Sequence, residues 1–474
     1  MGKITFGTSG WRAIIADEFT FANVRIGVAA IAKHLLAQRQ EGAGVVVAGD
    51  YRFFSEKFME LTCQVLAGYG ITSFLCPVGT PTPTVSYELI RRKAAGAINF
   101  TASHNPYDYQ GLKFNGADGG PAPVTVTRQL EATAASLQDT REVVEEMPIA
   151  QARSRGLVVD IDPKEAYFER LRELVDFDVL RRAKLRVVVD AMNGNGRGYL
   201  DVLLEEAGVK TKVLRDSRDP FFGFHHPEPG AKELADAVRE VKAWPANMGL
   251  ANDGDADRFG VLDNDGTYIT PNQVVAILFE HLLKTRDWKG CVVRTLPTTH
   301  LIDAIAKAHG VEVRETPVGF KYIAEVMGRE SIIIGGEESG GLTVHGHVPE
   351  KDGILACLLM AEVVAKTGRN LGAILKNMER EYGTVLGDRI NIPLKPGLKE
   401  TMIAKLKGTP PSEMAGKRVV NVRTEDGFKF ILEGDEWIMI RFSGTEPLMR
   451  CYVEARSPQG LENLREAGRK LTEI

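Results

Sequence analysis

The feature that most constrains the fold is the recurrence of short apolar runs, each followed by a stretch of helical periodicity. Val45–Ala48, Val187–Val189, Val292–Val293 and Ile332–Ile334 have strand length. Strands alternating with helices predict parallel βαβ units. A weak internal repeat runs through the alternation. Ala67-Gly68-Tyr69-Gly70-Ile71 leads to the loop Gly79-Thr80-Pro81, and Glu206-Ala207-Gly208-Val209 leads to a loop near Asp219-Pro220. Ala308-His309-Gly310-Val311 leads to Thr316-Pro317-Val318-Gly319. Glycine often ends a helix, so any βαβ unit gives part of this signal. Read as a repeat, it predicts three similar α/β domains. The C-terminal region differs. Ile390–Leu394, Arg418–Thr424, Phe428–Leu432, Trp437–Arg441 and Met449–Ala455 read as short strands before a closing helix after Ser457.

The chain has 474 residues, too many for one core at roughly 100–200 residues per domain. The expected organisation is three similar α/β domains with mixed sheets, 1–152, 153–262 and 263–375, plus a C-terminal α+β domain, 376–474, around a central cleft. A net charge of −4 gives no argument for nucleic acid or an anionic membrane. No apolar run approaches the roughly 18 residues of a membrane span, and MGKITFGTSGWR lacks the apolar region of a secretory signal. The five cysteines are scattered without a CxxC pair. They read as reduced, mostly buried residues of a cytoplasmic protein.

Two segments carry the chemistry. Thr101-Ala102-Ser103-His104-Asn105-Pro106-Tyr107 follows the small, apolar, strand-like run Ala95–Ala102. Ligand-contacting groups gather beyond the carboxyl ends of such strands, and Pro106 keeps Asn105 out of the helical region. The segment is therefore a turn that exposes Ser103, although taken alone Ser-His-Asn-Pro is simply a polar turn. His104 is a proton carrier or a brace for the loop. The second segment is Asp253-Gly254-Asp255-Ala256-Asp257-Arg258. Alternating carboxylates in an extended loop project three oxygens toward one point, which suits a hard divalent cation. A solvated acidic turn is the plain alternative. An EF-hand is excluded by Arg258 and Asn264 at the positions that need Gly and Glu. Arg258 can also bind a phosphate oxygen in bidentate fashion. A hydroxyl able to carry phosphate and a metal loop able to neutralise it together point to phosphoryl transfer. No G-x-S-x-G elbow and no G-x-x-x-x-G-K-[ST] loop occur, which argues against a hydrolase triad and an NTPase.

Three further loops fit a phosphorylated polyol. Arg441-Phe442-Ser443-Gly444-Thr445-Glu446-Pro447 offers a guanidinium, two hydroxyls and backbone amides, a phosphate cradle. Gly335-Gly336-Glu337-Glu338-Ser339-Gly340-Gly341 presents Glu337 and Ser339 to neighbouring hydroxyls. His347-Val348-Pro349-Glu350-Lys351-Asp352-Gly353 adds Lys351 as a phosphate-seeking cation.

Together with Gly7-Thr8-Ser9-Gly10-Trp11-Arg12, these segments resemble the α-D-phosphohexomutase family (phosphoglucomutase/phosphomannomutase), in the family's order and over nearly the whole chain. The resemblance implies a C-terminal domain that closes over the cleft, Ser103 as a phosphoserine, and Mg²⁺ held by Asp253, Asp255 and Asp257 with the serine phosphate as a further ligand. It implies Glu337 and Ser339 on sugar hydroxyls, and Arg441, Ser443, Gly444 and Thr445 on the phosphate that is not reacting. Arg12 and Lys113 match basic positions near the phosphoserine. Lys113 is the candidate general acid/base, as a desolvated lysine near other cations can lose its proton. Thr101, Ala256 and Glu338 resemble the glucose and mannose mutases. Gly319-Phe320-Lys321 and Glu350–Gly353 look more like phosphoglucomutases, with Gly319 and Lys321 expected at the substrate. Gly341 departs from the pattern, because many bacterial relatives have His there.

The implied activity is an isomerase reaction, reversible phosphoryl transfer between the 1- and 6-positions of a hexose phosphate, glucose and also mannose, through a hexose 1,6-bisphosphate. Phosphoglucosamine mutase is the alternative. A metal-dependent sugar phosphatase is disfavoured, since the nine histidines form no evident two-metal cluster. A non-catalytic sugar-phosphate binder would need a broken Ser103 or aspartate loop. The expected partner is a hexose phosphate, with no nucleic acid and no membrane, for a cytoplasmic monomer or homodimer.

Overall fold

The structure is a computed structural model and describes residues 2–471 apart from 8–9, 395–396, 409 and 443–447. Thr8, Ser9, Ser443, Gly444 and Thr445, singled out above, lie outside the described residues. The chain divides into two compact units. One comprises Met1–Lys289 with Gly319–Leu371, the other Gly290–Val318 with Gly372–Ile474.

The first unit contains two mixed sheets built on one plan. In the first, the order is Trp11–Ile14, Tyr109–Gly116, Gly96–Phe100, Val45–Gly49, Ser73–Leu75, Val158–Asp160. Its last four strands run parallel and the first two antiparallel. In the second, the order is Tyr268–Ile269, Phe259–Asp263, Met248–Asn252, Arg186–Asp190, Lys210–Leu214. Again a parallel set continues into antiparallel strands. Val45–Gly49 reads VVVAG and is buried throughout, as expected of a parallel strand covered on both faces. Its helices are amphipathic. Ser55–Gly68 buries Phe58, Leu61, Val65 and Leu66 in the core beneath the sheet. Ile332–Gly336 pairs antiparallel with Leu342–Val344 in the same unit.

The second unit holds the parallel pair Cys291–Thr295 and Val313–Thr316. It also holds an antiparallel sheet, in the order Leu386–Pro393, Leu448–Ala455, Glu436–Phe442, Phe428–Leu432, Lys417–Arg423, Glu413–Met414. The helix Pro458–Lys470 starts at the Ser457 cap, whose hydroxyl accepts from Gly460 N. Leu464 of that helix joins Ile438, Ile440 and Val453 in the core. All five cysteines are free and buried. Among the described residues no helix is long and apolar enough to cross a membrane.

Candidate active site

The strand Gly96–Phe100 delivers the serine loop, and the strand Met248–Asn252 delivers the aspartate loop. Both loops turn through left-handed residues, Ser103 at φ 51° and Ala256 at φ 59°. Few residues with a side chain adopt this region, and such strain concentrates at functional sites. The aspartate loop is therefore not extended, as expected above, but folded, with Ala256 N donating to Asp253 O at 3.0 Å. The fold-back brings the three carboxylates together, with candidate ligand atoms all within 4.8 Å of one another. Gly254 allows the two loops to touch, since a Cβ there would lie 2.6 Å from Ser103 O. The Ser103 hydroxyl donates to Asp253 Oδ2 at 2.7 Å across 150 residues of sequence. The serine loop and the aspartate loop thus meet at one place.

Buried carboxylates need partners. Lys113 Nζ donates to Asp255 Oδ2 at 2.6 Å and to Asp257 Oδ2 at 3.1 Å. Lys351 Nζ lies 3.0 Å from both Asp257 and Glu350. The second oxygens of Asp255 and Asp257 are buried without a hydrogen-bond partner among the described residues. Orphaned carboxylate oxygens in an all-oxygen cluster are what a hard divalent cation requires, so the residues fit a metal ion.

The local field sorts these groups. Burial, then the charges of Asp257 and Asp255, push Asp253 well above the usual carboxylate range. Burial and Asp257 also push Asp255 up, but Lys113 and Thr82 more than offset them and hold it below that range. Asp257 is held lower still, burial being overcome by Lys113, Lys351 and Arg258. Opposing fields bear on the expected loss of a proton from Lys113. Burial favours that loss, but its nearest partners are the Asp255 and Asp257 carboxylates rather than cations, and they raise its pKa. Burial, with Arg258 and Arg12, keeps His104 far below its usual value, and its Nδ1 lies 3.4 Å from Ser103 Oγ.

The other expected residues fall into place unevenly. Arg12 reaches the serine loop, donating from Nη1 to Asn105 Oδ1 at 2.7 Å. Arg258 lies 3.3 Å from Glu228, while its buried Nε has no hydrogen-bond partner among the described residues. Glu337 accepts from Gly319 N at 3.1 Å and stands 3.5 Å from the Ser339 hydroxyl. Gly340 O accepts from Phe259 N, tying this loop to the aspartate loop. Lys321 stands over its neighbour Tyr322 at 5.2 Å. Gly341 has a steric reason: a Cβ there would lie 2.3 Å from Lys351 Cδ, so the missing side chain makes room for the lysine stem. Arg441, in the second unit, donates from Nε to Asp426 at 3.0 Å.

Three buried residues escaped the sequence reading. Thr82 donates from its hydroxyl to Asp255 Oδ2 at 2.6 Å and from its N–H to Asp255 O at 3.0 Å. Asn99 donates to the Thr82 hydroxyl at 3.0 Å. Arg52 gathers the carbonyls of the serine loop. The signal for Arg52 was its place just beyond the carboxyl end of Val45–Gly49, where sheet ligands collect.

Comparison with known proteins agrees with this geometry. Four domain families described as phosphoglucomutase/phosphomannomutase match in order: alpha/beta/alpha domain I over residues 3–141, domain II over 165–266, domain III over 270–382 and the C-terminal domain over 390–471. A phosphoglucomutase/phosphomannomutase of Thermococcus kodakarensis is 31% identical, covering 100% of this chain and 99% of its own. The chain belongs to the phosphoglucomutase/phosphomannomutase family. It is accordingly a phosphohexomutase, an isomerase, and the expected fold of three α/β domains with mixed sheets and a C-terminal domain is borne out. A Thermus thermophilus crystal structure assigned to a phosphomannomutase superposes with a TM-score of 0.85, at 34% identity and full coverage of both chains. A Pyrococcus abyssi protein named as a phosphoglucosamine mutase is 30% identical over 99% of this chain and 98% of its own.

Proposed function

We propose that the protein interconverts hexose 1-phosphate and hexose 6-phosphate with Ser103 as the phosphoryl relay, taking glucose phosphate first and mannose phosphate as a second substrate. The observation that carries this reading is the Ser103 hydroxyl bonded to Asp253 within a cluster whose neighbouring carboxylates keep orphaned oxygens. In the forward step the Oγ–P bond of phosphorylated Ser103 breaks as a bond forms from phosphorus to the free sugar hydroxyl. The resulting hexose 1,6-bisphosphate turns over in the site, and its other phosphoryl group returns to Ser103 Oγ. The step moves one proton from the attacking hydroxyl to the departing Oγ, and His104, whose Nδ1 lies 3.4 Å from Oγ, is assigned as a carrier on the serine side. Lys113 holds a proton against Asp255 and Asp257, the state from which it protonates a departing Oγ. Asp253, Asp255 and Asp257, with the serine phosphate, would hold a divalent ion, Mg²⁺ in this proposal, which would offset charge on the transferring group.

The Nε of Arg258, which makes no hydrogen bond among the described residues and faces Asp257 at 4.0 Å, supports its assignment to a substrate phosphate. Glu337 and Ser339, beside Gly319, are assigned to sugar hydroxyls, with Lys351, Lys321 and Arg12 as phosphate partners. Arg441, with Ser443, Gly444 and Thr445, is assigned to the phosphate that is not reacting, whose binding energy positions the sugar in both orientations. Domain limits near 152, 262 and 375 belong to the same proposal. So does a cytoplasmic setting, which the five free thiols favour.

Coupled assays on glucose, mannose and glucosamine 1-phosphates test the substrate order, and the resemblance to the Pyrococcus protein makes glucosamine the necessary third arm. Ser103→Ala should abolish turnover and leave the fold intact. Undiminished activity in that variant rejects the relay, and release of inorganic phosphate in place of isomer rejects the mutase reaction.

A further inference from the structure

Arg52 has no solvent exposure, and each of its five N–H donors is engaged. Nε donates to Asp50 Oδ2 at 3.0 Å. Nη1 donates to Pro106 O at 2.5 Å and to Tyr109 O at 3.1 Å. Nη2 donates to Ser103 O and to Asn105 O, both at 2.7 Å. Four of the five bonds thus end on main-chain carbonyls of the segment that carries the serine. The anchor beneath them is fixed in turn: Asp50 Oδ1 accepts from Arg52 N at 3.1 Å and from the Ser55 hydroxyl at 3.3 Å, and Ser55 Oγ accepts from Gln110 Nε2 at 3.0 Å. The Phe222 ring covers the guanidinium at 4.8 Å.

Ser103 sits at φ 51°, a conformation that persists only where the surroundings over-determine it. The planar fork supplies that constraint, because its donors are rigidly spaced in one plane, whereas an ammonium offers three donors from a point. We propose that Arg52 is the positioning residue of the serine relay: it clamps the carbonyls of 103–109 so that Ser103 Oγ stays aimed at the Asp253 carboxylate, and it takes no phosphate itself. The second half follows from the donor count, since any bond to phosphate would release a loop carbonyl. The proposal rests on Ser103 being the phosphoryl carrier.

The test uses the full chain with Arg52→Lys, Arg52→Ala and, in parallel, Ser103→Ala. A misaimed relay should lower kcat of Arg52→Lys by about 100-fold and leave KM unchanged, because the residue meets no substrate. Intact mass should show slower phosphorylation of Ser103 from hexose 1,6-bisphosphate. Millimolar guanidinium should restore part of the turnover of Arg52→Ala. Parental kcat in Arg52→Lys, or a loss confined to KM, overturns the proposal. So does a lysine variant that does not fold, since that outcome places the work of Arg52 in general stability. Turnover surviving in Ser103→Ala defeats the relay itself. An inert Ser103→Ala beside a fully active Arg52→Lys defeats only the role of Arg52.

Discussion

Thr82 shows how a residue outside the carboxylate cluster can hold a member of it in place. Its hydroxyl and its main-chain N–H both end on Asp255, and Asn99 orients the hydroxyl from behind. Outer partners of this kind set ligand orientation and commonly carry 10- to 100-fold in metal affinity. Thr82→Val, which keeps the shape and removes the donor, should weaken divalent metal binding by roughly 10- to 100-fold, read by Mn²⁺ titration in paramagnetic resonance. Unchanged affinity would make Thr82 a packing residue. Gly341 acts by omission. In Gly341→Ala the new methyl meets the Lys351 stem and should pull its ammonium off Asp257. KM for the hexose phosphate should then rise several-fold while the fold is unchanged. An unaltered KM would show that the stem moves aside freely.

At the scale of elements, the strand pattern was legible and the loop conformations were not. Phe428–Leu432 has the bounds expected from its sequence, and Trp437–Arg441 lies within Glu436–Phe442. Apolar runs bounded by turn residues determine their own extent. The fold-back at Ala256 turns on a left-handed alanine that no apolar pattern marks. The clamp of Arg52 depends on groups far away in sequence, so spacing alone could not reveal it. The same is true of Lys113: its motif position was visible, but its charge state follows from carboxylates 142 and 144 residues distant. Helix junctions carry a further hidden node. Glu362, on the helix Gly353–Thr367, accepts from His281 Nε2 at 2.7 Å, from Arg286 Nη2 at 2.8 Å and from Asp176 N at 2.7 Å. Burial raises its pKa, but those bonds overcome it and hold the carboxyl at about 2 against an ordinary 4.5. The unfolded chain therefore takes up this proton first. The stabilisation is complete above pH 4.5 and is lost as pH falls through about 2, on the order of 3 kcal/mol. Glu362→Gln should flatten the acid-unfolding curve in that window, followed by circular dichroism. A variant curve as steep as the parent's would remove the node from the acid response.

For the whole molecule, the placement of the carboxylate cluster within the first unit has a measurable result. Asp253, Asp255, Asp257, Ser103 and Thr82 all belong to the first unit, whereas the sheet from Leu386–Pro393 to Leu448–Ala455 belongs to the second. Ligands stabilise only the state that binds them. Saturating Mg²⁺ should therefore slow amide exchange in 101–106 and 253–258 and leave 428–432 unchanged. Equal slowing in all three segments would mean that the ion acts on the chain at large. The contact between Gly254 and Ser103 carries a different kind of consequence. Every coding change away from glycine adds at least one carbon, and at this position one carbon wedges two loops apart. A catalogue of harmful variants that scores only nucleophiles, acids and metal ligands would pass over residue 254, although a methyl group there meets the backbone of the serine loop.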